Sequence, residues 1–220
     1  MQGKDKTLIM VVREKDLFGK NREDFFEGFR PSSRIDYETR ILLNFGFMTR
    51  GFAEQDPKYK QPIAYTLIVN PNSKKVFAYQ RALKDKHYDE ERLQGKWSLG
   101  VGGHIEMKDL SSDEGNPIRA SLERELEREE VEFVDGKILG LDVLGYIYLD
   151  NGVHAVHFGM LYLAKTNART VNPKDPEIAR GKLMSLQEIE QIKDSPECEL
   201  EGWSETAFGP LEEYITGLYL

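Results

Sequence analysis

Glu125 and Glu129 stand four residues apart in the run Arg124-Glu125-Leu126-Glu127-Arg128-Glu129-Glu130, and upstream of them Trp97 to Leu110 reads WSLGVGGHIEMKDL. Carboxylates one helical turn apart are hard-oxygen donors for a divalent cation such as Mg2+ or Mn2+. A glycine-opened backbone beside them lets a phosphate or a metal approach closely. Taking about 100° per residue with Ile118 at zero, Leu122 falls near about 40°, Leu126 near about 80°, Glu125 near about −20° and Glu129 near about 20°. Two glutamates therefore share the apolar stripe, where like charges repel and resist desolvation unless a cation or buried partners compensate. Glu123, Arg124, Glu127, Arg128 and Glu130 fall outside the stripe, where solvent or mutual pairing satisfies them. The spacing also describes an ordinary solvated or salt-bridged face, so on its own it leaves both readings open.

The elements that must hold these residues are legible from pattern. At 220 residues the chain is expected to form one domain, residues 1–60 being an N-terminal extension packed on a core of residues 61–220. The extension is polar and dotted with aromatics, with a helix expected over residues 37–44. From Ile63, IAYTLIV and KVFAYQ flank the turn NPNS and predict a β-hairpin. VLGYIYL and VHAVHFGMLYLAK flank Asn151-Gly152 and predict a second one, with His154 and His157 on opposite faces of a strand. Ser185 with Glu188 has capping-box spacing, and a last helix is expected from about Ser204 despite Gly209-Pro210. Strands and helices mixed in this order predict an α/β fold with a mixed β-sheet.

Composition excludes several classes. With 40% hydrophobic and 31% charged residues the chain is neither disordered nor fibrous. A net charge of −8 argues against a nucleic-acid coat, although an acidic protein still takes a polyanion when a metal lies between them. Cys198 is the single cysteine, so no internal disulfide forms, and TLIMVV is too short for a signal-peptide core or a membrane span. A cytoplasmic location, no membrane partner and no nucleic-acid partner are the expectations.

Gly102-Gly103-His104-Ile105-Glu106 and Arg124-Glu125-Leu126-Glu127-Arg128-Glu129 resemble the signature of the Nudix hydrolases. That signature is a glycine, five residues, Glu, seven residues, Arg-Glu, an aliphatic, one residue, Glu-Glu, one residue, Gly and an aliphatic. The resemblance runs from about Ile63 to the C-terminus and implies an α/β/α sandwich. Three departures stand out. Twenty residues separate Gly103 from Arg124, seven more than the signature has, so MKDLSSDEGNP carries an insertion. The first motif glutamate is unassigned, with Asp113 and Glu114 as candidates. Arg128 occupies the place of the first Glu of the pair, and Val131 that of the terminal glycine. Sliding the pair to Glu129-Glu130 sets Glu130 near about 120° on an α-helix, away from Glu125, so α-helical phase rejects it.

The resemblance implies Mg2+-dependent (or Mn2+-dependent) attack of water on a phosphoanhydride in a nucleoside diphosphate linked to another group. In that reading Glu125, Glu129 and the carbonyl of Gly102 hold metal, Glu129 is the first choice as base with Glu125 beside it, and Glu177 supplies a further catalytic carboxylate. Arg124 orients its neighbours. Arg50, Arg81 and His104 are the candidate substrate contacts, each with a plain alternative in surface charge or turn hydrogen bonding; for Lys60 surface charge is the preferred reading. Phe25, Phe26, Phe29, Trp97 and Trp203 are read as packing residues before base-stacking ones. Two rivals stay in view: a Nudix-fold nucleotide-binding or regulatory module without turnover, and a diphosphate isomerase, which needs a reactive cysteine that Cys198 is badly placed to provide. The aromatic extension is the surface expected to carry any homodimer contact.

Overall fold

A computed structural model describes residues 4–83, 91–111 and 115–217. The elements in chain order are β1 (Leu8–Arg13), α1 (Glu14–Phe18), β2 (Gly28–Pro31), α2 (Tyr37–Asn44), β3 (Gly46–Thr49), α3 (Arg50–Ala53), β4 (Tyr59–Asn70) and β5 (Lys75–Arg81). There follow β6 (Trp97–Ser98), β7 (Gly100–Val101), α4 (Pro117–Glu123), β8 (Val131–Val134), β9 (Ile138–Tyr148), β10 (His157–Thr166), β11 (Thr170–Pro173), β12 (Ile178–Ser185), α5 (Leu186–Asp194) and α6 (Gly202–Thr216). A π-helical turn, Arg124–Glu129, continues α4. The mixed α/β class expected from the sequence is the class observed.

The contacts divide the chain into two compact units. The first comprises Met1–Tyr65, Gly102–Glu123 and Val143–Leu161; the second comprises Thr66–Val101, Arg124–Asp142 and Tyr162–Leu220.

In the first unit β1 pairs antiparallel with β3, Leu8 opposite Thr49, and with β4, Val12 opposite Lys60. β2 pairs antiparallel with β9, Phe29 opposite Ile147. The core here is aromatic: the Phe18 ring lies 6.1 Å from Tyr37, 5.1 Å from Tyr148 and 5.9 Å from Phe158, and Tyr37 lies 5.0 Å from Tyr146 in an edge-on arrangement. Such rings bury large apolar areas and favour edge-to-face contact through their quadrupoles. Phe26 belongs to this packing, in line with its reading as a core residue. Helix α2 covers the expected residues and starts at Asp36, whose carboxylate accepts from the Thr39 N–H (3.0 Å).

In the second unit β5 lies between β4 and β12. The first hairpin forms as predicted, Val69 opposite Val76, and its turn is closed by Asn70, whose Oδ1 accepts from the N–H groups of Asn72 (3.0 Å) and Ser73 (3.1 Å). The capping box at the head of α5 is present in both directions. Helix α6 runs through Gly209-Pro210 as expected and ends on Gly217 in the left-handed conformation. Trp97 and Trp203 are buried. Asn151-Gly152 differs from expectation: it opens a 3-10 turn, Gly152–Val156, instead of a two-residue hairpin, so His154 lies in that turn and only His157 stands in the strand.

Candidate active site

In the second unit the chemistry gathers around the π turn. There each N–H reaches back five residues instead of four, so one extra residue is absorbed and whatever follows is rotated relative to an α-helix. The Glu130 N–H accordingly donates to the Glu125 carbonyl at 2.8 Å. The α-helical phase that separated Glu130 from Glu125 in the sequence does not apply, and the exclusion of Glu130 is corrected on that ground. Arg124 takes the pairing that the sequence left open beside solvation: it is buried, and its guanidinium donates to Oε1 of the buried Glu125 at 2.6 Å. The side chains of Arg128 and Glu129 lie outside the described residues.

The loop between β11 and β12 closes on the same place. The N–H groups of Lys174 (2.9 Å) and Asp175 (3.4 Å) donate to the Glu130 carbonyl, Asp175 Oδ1 accepts from the Glu177 N–H (2.7 Å), and the Glu177 carbonyl accepts from the Ala82 N–H (2.8 Å). Ile178 pairs with Arg81 at the end of β5. Backbone bonds therefore carry Asp175, Glu177 and Arg81 to Glu130. Burial pushes the Glu130 carboxyl up to about 8, helped by the negative charges of Glu125, Asp175 and Glu177 and opposed by Arg81. Arg81 itself is held in an ion pair with Glu201.

Of the residues expected from the sequence, Glu125, Glu177 and Arg81 thus act on one carboxyl. Glu130 is weighed on the sequence and set aside because nothing there marks the π turn, and Asp175 is missed because it reads as an ordinary loop acid. Among the described residues no group of three or more His, Cys, Asp or Glu side chains is arranged to hold a metal ion.

The glycine turn belongs to the first unit. A Cβ on Gly102 would overlap the Ala64 carbonyl oxygen, so the turn's approach to β4 requires glycine there. His104 forms a bridge with Ile63, and its Nε2–H donates to Gln61 Oε1 at 2.7 Å. Burial, then the positive fields of Arg50 and its neighbours, holds His104 well below the usual imidazole range, so the ring is neutral at physiological pH. Arg50 begins α3 and donates to Glu54 at 2.7 Å. Lys60 is not surface charge: it is buried, with Nζ donating to the carbonyls of Pro57 and Ala155, each at 2.8 Å.

Asp109 is a further residue that the sequence reading did not single out. It stands where the motif's first glutamate belongs, five residues separating it from Gly103, and the spacing could have revealed it had aspartate been allowed. It is buried, and its Oδ2 accepts from the Glu106 N–H at 2.8 Å, closing the turn after the glycines. Asp113 and Glu114 lie outside the described residues.

No protein-family model matches the chain. Among solved structures it is similar to Tm1382, described as a candidate Nudix hydrolase, with a TM-score of 0.73 and 27% identity over 94% of this chain and 99% of that one. The chain belongs to the Nudix hydrolase family. Among characterised sequences it is similar to Protein YmaB of Bacillus subtilis (strain 168), 32% identical over 213 residues that span 96% of this chain and all of that protein. No helix among the described residues is long and apolar enough to cross a membrane.

Proposed function

We propose that the protein hydrolyses a phosphoanhydride bond in a nucleoside diphosphate linked to another group, with Mg2+ or Mn2+, in the cytoplasm. The observation that carries this reading is the gathering at Glu130: its N–H bonds the Glu125 carbonyl, its own carbonyl accepts from the loop that carries Asp175 and Glu177, and desolvation followed by those three negative charges pushes its half-buried carboxyl up. A concentration of negative charge around one buried and three half-buried carboxylates is costly without a cation, and its donors are the hard oxygens such ions prefer. Mg2+ keeps several waters and is commonly held by one or two carboxylates plus substrate phosphates, so a full protein shell is not required of the side chains.

Glu125 and Glu130 would hold the ion, with water and substrate phosphates completing its shell; Glu129 is the third candidate ligand, and Glu177 the further catalytic carboxylate. Because a π turn absorbs one residue, Arg128 reads as an insertion, and Glu129-Glu130 then supplies the paired glutamates of the motif. When bound, the ion neutralises phosphate charge and lowers the pKa of attacking water. Arg124 fixes the Glu125 carboxylate in place. Glu130, once ionised, is positioned to accept the proton of the attacking water. Arg81, ion-paired with Glu201 while its positive field reaches Glu130, is the candidate to supply positive charge toward a phosphate. The substrate class follows from the family.

The test is a panel of nucleoside triphosphates, sugar nucleotides, dinucleoside polyphosphates and coenzyme-type pyrophosphates with Mg2+ or Mn2+, read as phosphate released after phosphatase treatment. Turnover of one class by the wild type, lost in Glu125→Gln and Glu130→Gln, supports the enzyme. Equal background from wild type and both variants on every compound replaces it with the nucleotide-binding module.

A further inference from the structure

The first unit contains a cavity of about 470 Å3 whose wall is strongly cationic in a chain of net charge −8. Arg13, Lys15, Lys20, Arg22 and Lys58 line it. Glu14 is the single acidic residue of the lining, and its charge is already met: Lys60 Nζ lies 3.1 Å from one carboxylate oxygen and Arg22 Nε 3.2 Å from the other. Among the described residues the side chains of Arg13, Lys15, Lys20 and Lys58 enter no ion pair, and all four are exposed. Basic side chains lining one concavity add their fields there, so an anion that enters it is favoured over one on the surrounding acidic surface.

Arg22 shows that the wall is built. Its backbone takes the left-handed conformation, φ 58°, rare for a residue with a side chain, and its guanidinium is fixed 3.8 Å from the Phe25 ring centroid. A second carboxylate, Asp150, lies 3.5 Å from its NH2 group. One cation of the five is thus oriented in advance, and the others are long side chains free to close on a ligand.

We infer that this cavity is a binding site for a small phosphate-rich anion, built from residues that take no part in the carboxylate cluster of the second unit. Its volume falls in the range of small-molecule sites, about 300–1,000 Å3. A long polyanion is disfavoured, because beyond the cavity it meets the field of an acidic protein.

The test uses the full chain, with inorganic tripolyphosphate as the probe, by isothermal titration calorimetry at low ionic strength in EDTA, so that no metal-dependent site contributes. Saturable binding is expected, weakened about tenfold or more by Lys20→Glu with Lys58→Glu and unchanged by Glu130→Gln. Both reversed lysines are exposed, so thermal melting should match the wild type, and metal-dependent hydrolysis should persist in the double variant. The inference is overturned if tripolyphosphate fails to saturate the wild type or binds the folded double variant with wild-type affinity. It is overturned equally if a single-stranded oligonucleotide displaces tripolyphosphate at far lower concentration, which would make the groove a nucleic-acid track. Failure of the hydrolase reading would leave this experiment untouched, since it involves neither metal nor turnover.

Discussion

The Glu130 N–H reaches back five residues to the Glu125 carbonyl at 2.8 Å, and that one bond changes which carboxylates share a face. On an α-helix Glu129 would accompany Glu125. After a π turn Glu130 joins it, and the loop carrying Asp175 and Glu177 is hydrogen-bonded to the Glu130 carbonyl. π turns inside helices recur at functional sites, where an inserted residue re-aims those that follow. Replacing Glu130 by Gln keeps volume and hydrogen-bonding capacity while removing the ionisable group. We expect kcat to fall about 10²- to 10⁴-fold, the range associated with loss of a general acid or base. A Glu130→Gln enzyme within twofold of wild type in steady-state kinetics, beside an inactive Glu129→Gln, would return the role to Glu129.

The raised pKa of Glu130 predicts a pH-dependent stability with a definite sign. In the unfolded chain this carboxyl titrates near its ordinary value of 4.5, and in the metal-free folded state at about 8. Between those values the folded state binds the extra proton, so stability from this group is complete below pH 4.5 and declines as pH rises through about 8. Thermal melting in EDTA should show a loss over that window that is absent in Glu130→Gln. Because a metal must displace the proton, titration of the wild type with Mn2+ at pH 7 should release protons, and affinity should rise with pH until about 8. A melting curve equally flat for wild type and variant rejects the shift.

Much of the scaffold was legible because its signals are local. Ser185 and Glu188 specify a capping box by spacing, Asn70 closes a turn on the two N–H groups after it, and the helix over residues 37–44 is opened by the Asp36 cap. The site was less legible because its determinants are not local. Glu130 was excluded by applying a 3.6-residue period to a segment that does not have it, and nothing in RELEREE distinguishes an α from a π turn. Asp175 joins the cluster only through loop bonds to Glu130, a pairing separated by forty-odd residues of chain. Lys60 looked like surface charge because burial of a lysine depends on carbonyls that arrive from Pro57 and Ala155. The hairpin expected at Asn151-Gly152 forms, since β9 and β10 are neighbours in the sheet, but the tight primed turn that the dipeptide suits does not, because the chain uses Gly152 to begin a 3-10 turn.

Gly102 tests the glycine turn. An added Cβ would overlap the Ala64 carbonyl oxygen, which is backbone and cannot rotate aside as a side chain would. Gly102→Ala must therefore displace the turn from β4, at a cost of about 1–3 kcal/mol, the usual range for overpacking. Chemical denaturation should show the loss. Gly152→Ala serves as a contrast, because an added Cβ there meets nothing within 4 Å and only its φ of 49° opposes the change. Equal stability of Gly102→Ala and wild type would mean that the turn has room to move.

Asp109 offers the last test, because it separates a structural role from a chemical one. Its Oδ2 accepts from the Glu106 N–H at 2.8 Å, while its own N–H donates to the Glu106 carbonyl at 3.0 Å, so the two residues close the turn reciprocally. Asp109→Ala removes the acceptor from a half-buried N–H and should destabilise the fold by about 1 kcal/mol, the usual net worth of such a hydrogen bond. Asp109→Asn retains an acceptor oxygen and should recover most of that loss. If Asp109 acts through the turn alone, thermal melting and hydrolysis move together and Asn rescues both. A metal-binding role would behave differently: Asn would restore melting temperature while metal-dependent turnover stayed low, and isothermal titration with Mn2+ would show the weakened affinity directly. The geometry of the turn favours the first outcome, with stability and turnover recovering together in Asp109→Asn.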